Sequence, residues 1–229
     1  KNEDELRERL KGFGLRRTQK DVGIQPPIFS VFALTVDKLP PELREDPEAQ
    51  AVLDAFETGE TKSLEMHLGP IRRLTGHMKA HAVVAAAKEL LEDGQIDKLV
   101  LMAWHVDVLD ILWTGLAQFG VTGIDGRTGP MARDAAVKAF RKALGPRVFV
   151  GQITAAGEAI DLSPAAELWF VESSFVPKDM SQAAMRITNH SQKRQALVRV
   201  CALAGSIDEA LAAILTRKVA SISQRMEPQ

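Results

Sequence analysis

The sequence predicts an α/β fold, an open parallel sheet with helices on both faces, preceded by a mainly helical segment. From Lys98 onward, short apolar runs alternate with segments of helical periodicity. The run LVLMAW is apolar throughout, which is typical of a parallel strand that is buried on both faces. Because alternating strands and helices favour βαβ units, we divide the chain into a linker strand and helical segment, residues 1–95, and a sheet domain, residues 96–229.

The composition is that of an ordinary globular protein. Of the 229 residues, 45% are hydrophobic and 26% are charged, and the formal net charge of −1 means that any contact with nucleic acid must come from a local patch. The one cysteine, Cys201, lies in an apolar run; it excludes an intrachain disulfide and fits a reducing cytoplasm. Apolar runs are too short to cross a bilayer, so we expect no membrane contact. Because the chain begins at Lys1 in charged, helix-favouring sequence, we expect it to be a piece of a longer parent protein.

Residues 1–95 contain one strand signal and one long helix signal. IFSVFALTV follows Pro26 and Pro27 and is rich in branched and aromatic residues, which predicts a strand. The stretch from Leu64 to Gly94 predicts a helix that Pro70 interrupts and Gly76 breaks again. His77 and His81 have the spacing of two zinc ligands on a helix. With no glutamate between them and no cysteine nearby, we interpret them as packing or surface residues and predict no metal site.

The second half of the chain supplies the rest of the predicted sheet. Helices are expected over His105–Phe119, over Met131–Leu144 and after Ser206, which can cap the last helix. The further strands are VTGID, RVFVGQ, LWFVES and ALVRVCAL.

Polar residues follow these strands, where the chain turns toward each helix. Right-handed crossovers place such loops along the carboxyl edge of a parallel sheet, which is where ligands bind. We therefore expect four stretches to lie together at that edge and to form a working surface. They are His105, Gly126–Thr128, Thr154–Leu162 and Gln182–Gln192.

The stretch QAAMRITNHSQ, from Gln182 to Gln192, is the main candidate for phosphate chemistry. Gln182 and Arg186 are four residues apart, so a helix places them on one face. The planar guanidinium of arginine stays charged and can bind two phosphate oxygens at once. The alternative interpretation is a surface helix with one solvated arginine.

Several segments, in order along the chain, match one family. LRRTQKDV at residues 15–22 is similar to a string L-R-R-T-K-x-D-V. Arg72, Thr75, Gly76 and Lys79 fit R-x-x-T-G-x-x-K. IDGRTGPMARDAAVKAF fits D-G-x-T-x-x-x-x-R…F, and QAAMRITNHSQ fits Q-A-x-x-R-x-x-R-x-G-Q. Together they resemble the C-terminal helicase lobe of the SWI/SNF family of DNA-dependent ATPases, superfamily-two helicases, with the second pattern closest to the annealing-helicase branch.

LVLMAWHVDVLDIL also looks like the family's motif IV, and GQITAAGEAIDL looks like its motif V. The resemblance implies a RecA-like lobe and a role for each matching residue. Arg186 is the expected catalytic residue, since an arginine supplied across a cleft stabilises charge on a transferring phosphoryl group. The expected nucleotide-binding residues are Gly157, Glu158, Asp161, Gln182 and Arg186. The expected contacts to DNA phosphates are His105, Arg127, Thr128 and Thr154. Helix capping by the two threonines, and a hydrogen-bonded histidine at a strand end, are the alternatives.

The resemblance also implies the partners of the chain. The parent would bind ATP and Mg²⁺, and the partners would be the DNA backbone and the first helicase lobe of the same chain. This chain lacks the G-x-x-x-x-G-K-[ST] loop and the acidic magnesium motif. We therefore expect the chain alone to bind neither ATP nor Mg²⁺ tightly and to be inactive as an ATPase.

The chain departs from the family pattern at several positions. Asn189 stands where the family has its second arginine, Ser191 and Ala159 stand where it has glycine, and Glu158 adds a negative charge. These departures favour, as a first alternative, a degenerate non-catalytic lobe that binds DNA or a protein. A second alternative is an unrelated α/β enzyme for a small phosphorylated substrate, for which the sequence offers no nucleophile–base pair.

Overall fold

A computed structural model describes residues 23–37, 64–155 and 160–225. The described strands are β1 (Ile28–Leu34), β2 (Leu99–Ala103), β3 (Val121–Ile124), β4 (Val148–Gln152), β5 (Glu167–Phe170) and β6 (Leu197–Leu203). The α-helices are α1 (Leu64–Glu92), α2 (Val106–Gly115), α3 (Pro130–Arg141), α4 (Pro177–Ala184) and α5 (Ile207–Arg225). Short 3-10 turns follow α2 at Ala117–Phe119 and α4 at Met185–Ile187.

The strands form one six-stranded sheet in the order β1-β6-β5-β2-β4-β3, and every neighbouring pair is parallel. This confirms the predicted RecA-like open parallel sheet. The strand predicted before the helical segment pairs along its whole length with β6, from Ile28 opposite Leu197 to Leu34 opposite Leu203. The division of the chain at residues 95 and 96 stays a prediction.

Two apolar cores, one on each face of the sheet, bury the alternating side chains of the strands. Leu99 and Leu101 of β2 pack in the core that α1 and α2 cover, whereas Val100 and Met102 pack in the core beneath α3, α4 and α5. Successive side chains of a strand point to opposite faces, so a strand covered on both sides must be apolar throughout. None of the helices in the described ranges is long and apolar enough to cross a membrane.

Helix α1 runs without interruption from Leu64 to Glu92, so the predicted interruptions at Pro70 and Gly76 are wrong. A proline costs about 3 kcal/mol inside a helix, but it removes only one hydrogen bond of a long element. The C-terminal part of α1 buries Ala80, Val83 and Leu91 against the sheet, and this packing offsets the cost. Gly76 lies where α1 approaches the end of β5 closely: an added Cβ would lie 2.7 Å from Glu172 Cδ.

Candidate nucleic-acid and nucleotide interface

Three of the predicted loops meet at the carboxyl edge of the sheet. His105 follows β2, Thr154 follows β4, and Arg127 with Thr128 follows β3, and these three strands are neighbours. Gln152, the last residue of β4, joins the loops: its Oε1 accepts from Gly126 N at 2.9 Å, and its Nε2 donates to Trp104 O at 2.9 Å. The sheet therefore brings the four predicted DNA-contact residues to one side of the molecule.

His105 is held by a buried carboxylate. Its Nδ1 lies 2.6 Å from Oε1 of Glu172, whose side chain is fully buried at the end of β5. The other oxygen, Oε2, accepts from the backbone N–H groups of Trp104 at 2.9 Å and His105 at 2.8 Å. About a quarter of the His105 side chain stays exposed (27%). The predicted alternative, a hydrogen-bonded histidine at a strand end, describes this geometry, and it leaves part of the ring open to a ligand.

The guanidinium of Arg127 is paired with two carboxylates. It lies 2.8 Å from Asp110 on α2 and 2.6 Å from Asp125 in its own turn. The hydrogen bonds that Arg127 donates, first to Asp110 and then to Asp125, hold the pKa of Arg127 above its ordinary value. The Arg127 guanidinium in turn lowers the pKa of Asp125. Because two negative charges face one positive charge, this turn offers a phosphate a cation that is already neutralised.

Thr128 and Thr154 differ in their surroundings. The Thr128 hydroxyl accepts from Asp125 N at 3.0 Å and closes the β3–α3 turn. It does not cap the helix, because Gly129 is the N-cap residue of α3. Thr154 is exposed in the turn after β4, where its hydroxyl is accessible to a ligand. For Thr128 the predicted capping role is therefore wrong, and the hydroxyl stabilises a turn instead.

The R-x-x-T-G-x-x-K pattern anchors α1 to the same edge. The Arg72 guanidinium lies over the rings of Trp104 at 4.6 Å and Phe175 at 3.8 Å. Lys79, almost fully buried, lies 3.0 Å from the carboxylate of Asp208 at the start of α5. These contacts join α1 to the loops that follow β2, β5 and β6, so in this chain the pattern has a clear structural role.

A second, more exposed polar cluster joins α1 to α2. Asp107 Oδ2 lies 2.9 Å from both Arg73 and His77. Burial opposes the charged form of Asp107, but hydrogen bonds from His77 and Arg73, together with the Val108 N–H, outweigh it and lower the pKa of Asp107 to about 2. His77 is thus paired with a carboxylate on the neighbouring helix.

The predicted catalytic arginine lies just beyond α4. Gln182 is exposed on α4, and Arg186 is half-buried in the 3-10 turn that follows, with its Nε shielded from solvent. Helix α4 begins at the carboxyl edge after β5 and must bring the chain back to the amino end of β6. Arg186 therefore lies at the far end of this crossover.

The expectation that all four stretches lie at the carboxyl edge is wrong for the end of the Gln182–Gln192 stretch. Gln192 Nε2 donates to Ala165 O at 2.7 Å, two residues before β5 begins, and Leu162 N donates to Arg186 O at 2.8 Å. Asp161 also lies here, since its Oδ1 accepts from Asn189 Nδ2 at 2.9 Å. The physical reason is the crossover itself, because a helix that leaves one edge of a parallel sheet ends near the opposite one.

Asn189 is engaged in a dense hydrogen-bond network, the loop clasp, which we define as Asp161, Ser163, Asn189, Ser191 and Gln192. Its Nδ2 donates to Asp161 at 2.9 Å and to Ser163 Oγ at 2.7 Å. Its Oδ1 accepts from the N–H and hydroxyl of Ser191 at 2.8 Å and 2.6 Å, and from Gln192 N at 3.2 Å. The side chain at the family's second arginine position thus serves to hold two loops together.

Some predicted residues lie outside the described part of the chain. Gly157 and Glu158, expected at the nucleotide, and Ala159, a departure from the family pattern, fall in the gap 156–159. The match LRRTQKDV at residues 15–22 also lies outside the described residues.

Sequence reasoning missed two residues that organise the carboxyl edge, Glu172 and Gln152. Both are polar residues at the end of an apolar strand, in LWFVES and RVFVGQ, and that position is the signal that could have identified them. A polar side chain placed there can reach the loops of neighbouring strands, as both do here.

Comparison with known proteins finds a SWI/SNF-related protein and a DNA repair protein among the sequence relatives of the chain. No protein-family model matches the chain. Over 155 residues it is 30% identical to a Caenorhabditis elegans protein, the homolog of SWI/SNF-related matrix-associated actin-dependent regulator of chromatin subfamily A-like protein 1; the match covers 66% of this chain and 22% of that protein. It is 22% identical over 142 residues to the Arabidopsis thaliana DNA repair protein RAD5B, covering 61% of this chain and 11% of that one. The chain therefore spans about a fifth or less of the length of these relatives.

Solved structures agree at the level of the fold. The SWI2/SNF2 ATPase core of Sulfolobus solfataricus in complex with dsDNA matches 96% of this chain and 53% of its own, with a TM-score of 0.58 at 18% identity. The C-terminal part of the Fun30 ATPase domain matches 63% of this chain and 53% of its own, with a TM-score of 0.52 at 22% identity. The chain is thus a relative of the SWI/SNF-related proteins and has the fold found in the C-terminal lobe of SWI2/SNF2 ATPases.

Proposed function

We propose that this chain is the C-terminal, second RecA-like lobe of a SWI/SNF-type DNA-dependent ATPase, a DNA translocase or an annealing helicase. In this proposal the carboxyl edge contacts DNA phosphates and Arg186 completes an ATP site whose remainder is on the first lobe. The proposal is supported by one agreement between sequence and fold. A sequence relative is named as SWI/SNF-related, and a SWI2/SNF2 ATPase core in complex with dsDNA matches 96% of the chain in fold.

The carboxyl edge has groups suited to a phosphate backbone. Binding without base recognition needs hydroxyls, N–H donors and a few cations, and it needs no basic surface over the whole protein. The exposed hydroxyl of Thr154 and the exposed part of His105 supply such groups. We expect Arg127 to contribute less than its charge suggests, because Asp110 and Asp125 already pair with it.

The ATP site would be shared between two lobes. Gln182, Arg186 and Asp161 are the described residues that we propose to face nucleotide, and Gly157 and Glu158 are the proposed residues of the adjoining loop. The described residues contain no cluster of three carboxylate, histidine or cysteine side chains that could hold a metal ion. We propose that Mg²⁺ enters with the nucleotide on the first lobe. From the single, buried cysteine we further propose that the parent works in the reducing cytoplasm.

The test is DNA-stimulated phosphate release. In a protein that joins this chain to its first lobe, Arg186→Ala should lower the rate by roughly 10³-fold or more, as expected when an arginine that contacts the transferring phosphoryl group is lost. Gln182→Ala, in α4 four residues before Arg186, removes a proposed nucleotide contact that carries no charge and should lower the rate less. The chain alone should release no phosphate. Phosphate release from the chain alone, or full activity of the Arg186→Ala variant, would contradict the proposal.

A second candidate function is a non-catalytic lobe that binds DNA or a partner protein. One observation favours it: Asn189 makes five hydrogen bonds within the loop clasp, so the side chain at the second arginine position is directed to its own loops. The same assay separates the candidates. A two-lobed parent that binds DNA but releases no phosphate above the level of its Arg186→Ala variant would support the non-catalytic lobe.

A further inference from the structure

Glu172 is a fully buried carboxylate outside the set of residues that the proposed function uses. Its side chain has no exposed surface, and it lies where the β5 loop, the start of α2 and Gly76 of α1 come together. Burying a carboxylate is costly unless several donors satisfy it. Three groups near Glu172 do so, and all of them belong to Trp104 and His105.

These three contacts divide between the two carboxylate oxygens. Oε2 accepts both backbone N–H groups, which is the arrangement expected if Glu172 only supports the loop before α2. Oε1 is directed at the imidazole of His105, 2.6 Å from Nδ1, and support of the backbone does not require this contact. The contact of Oε1 therefore indicates a role for Glu172 that involves the histidine ring.

The contact fixes which side of the ring is available. With an ionised carboxylate, Nδ1 carries its proton and donates it to Glu172. Nδ1 faces a fully buried group while about a quarter of the side chain is exposed, so Nε2 is the ring nitrogen that remains for a ligand. The neighbouring charged groups are Arg72, over the Trp104 ring at 4.6 Å, and Asp107, which is already paired with Arg73 and His77.

We infer that Glu172 is a positioning residue for nucleic-acid binding: it holds His105 through Nδ1 so that the Nε2 edge of the ring contacts a phosphate oxygen of the DNA backbone. This inference rests on the proposed function, because it assigns one contact within the DNA-binding edge. Glu172 itself does not touch the DNA. It acts through the histidine, in the way that a carboxylate orients a histidine that binds another group through its second nitrogen.

The test is the affinity of the 229-residue chain for a short fluorescent duplex, measured by anisotropy at fixed salt concentration. Removing a negative charge near DNA by itself strengthens binding. The inference requires the opposite sign for Glu172→Gln, a loss of about tenfold, which is the size of one charge-assisted hydrogen bond. Glu89→Gln is the matched control, since it removes the same charge from an exposed position on α1 and should not weaken binding.

A double variant shows whether the effect passes through the ring. His105→Ala should also lose about tenfold, and Glu172→Gln should then cause no further loss in the His105→Ala background. Long-range ¹H–¹⁵N spectra of the imidazole should show a proton held on Nδ1 in the wild-type chain, with and without the duplex, and this Nδ1 proton should no longer be held in Glu172→Gln. If Glu172→Gln does not fold, as judged by tryptophan fluorescence, Glu172→Asp replaces it, because it keeps the charge and withdraws the oxygen from the ring.

The outcomes separate this inference from the proposed function. A wild-type chain that does not bind the duplex overturns both. If the wild-type chain binds the duplex, two results overturn the inference alone. One is a folded Glu172 variant that binds as well as the wild-type chain, and the other is a Glu172 substitution that weakens binding equally in the wild-type and His105→Ala backgrounds.

Discussion

Replacing Asn189 with alanine should destabilise the chain, although the side chain is only half-buried. Asn189 makes five hydrogen bonds in the loop clasp: two from its amide nitrogen, to Asp161 and Ser163, and three to its oxygen. The three to its oxygen come from Ser191 and Gln192. Alanine removes all five at once and leaves the N–H groups of Ser191 and Gln192 without this acceptor. No other side chain of the clasp bonds with all four of the others, so none can replace it.

The expected cost follows from these bonds. One intramolecular hydrogen bond contributes a net 0.5–1.5 kcal/mol or so, and partial exposure places these at the lower end, which gives roughly 3 kcal/mol for Asn189→Ala. In urea unfolding this corresponds to a fall of about 1 M in the midpoint, for a slope of 2–3 kcal/mol per M. Tryptophan fluorescence is a suitable signal, because Trp169 is fully buried in β5, directly after the loop that Asn189 holds.

The control is His190→Ala, which changes the exposed neighbour of Asn189 in the same loop. This variant should leave the free energy of unfolding unchanged within about 0.5 kcal/mol. Equal midpoints for the Asn189→Ala and His190→Ala variants would refute the reasoning, since they would mean that water replaces the clasp at no cost. A loss of more than about 5 kcal/mol would also contradict it, because a loss of that size is exceptional for a single substitution and Asn189 is only half-buried.

Two further predictions concern α1 and its contact with α2. Alanine normally stabilises the interior of a helix by about 1 kcal/mol relative to glycine. Gly76→Ala should instead destabilise the chain by roughly 1–3 kcal/mol, because the added Cβ would overlap the buried Glu172 carboxylate. A higher urea midpoint for this variant would contradict the prediction. The pKa of Asp107 is about 2 in the folded chain against an ordinary 3.8, so its stabilising contribution is complete above about pH 4 and disappears as the pH falls from 4 toward 2. The Asp107→Asn variant should therefore lose less stability than the wild-type chain over that range, and parallel curves for the two chains would show that Asp107 has no such role.

The central strands of the sheet, such as β2, could be predicted because they are buried on both faces. Val100 and Leu101 lie in different cores, so both had to be apolar, and the resulting continuous run is visible in the sequence. The short strand at Val121 was predictable for a different reason, since its neighbouring glycine and aspartate residues mark the turns around it. These signals are local, and local signals survive without knowledge of the tertiary structure.

The arrangement of the site could be predicted only in part, because it depends on distance along a crossover. Residues that directly follow a strand, such as His105 and Thr154, lie at the expected edge. Gln192 does not, because the length of α4 carries the chain to the other side of the sheet, and the sequence pattern contains no measure of that path. The pairing of Glu172 with His105 joins residues 67 positions apart, and no local pattern connects them.

The structure also changes the meaning of the departures from the family pattern. Asn189 and Ser191 appear in the sequence as two separate losses, one of an arginine and one of a glycine. In the folded chain they are hydrogen-bond partners, since the Ser191 hydroxyl donates to Asn189 Oδ1 at 2.6 Å, and both contact Ser163. An arginine introduced alone at Asn189 would break the clasp before it could reach a phosphate. A fair test of whether this lobe can regain its second arginine therefore requires the paired change, Asn189→Arg with Ser191→Gly, because the two positions act as one unit.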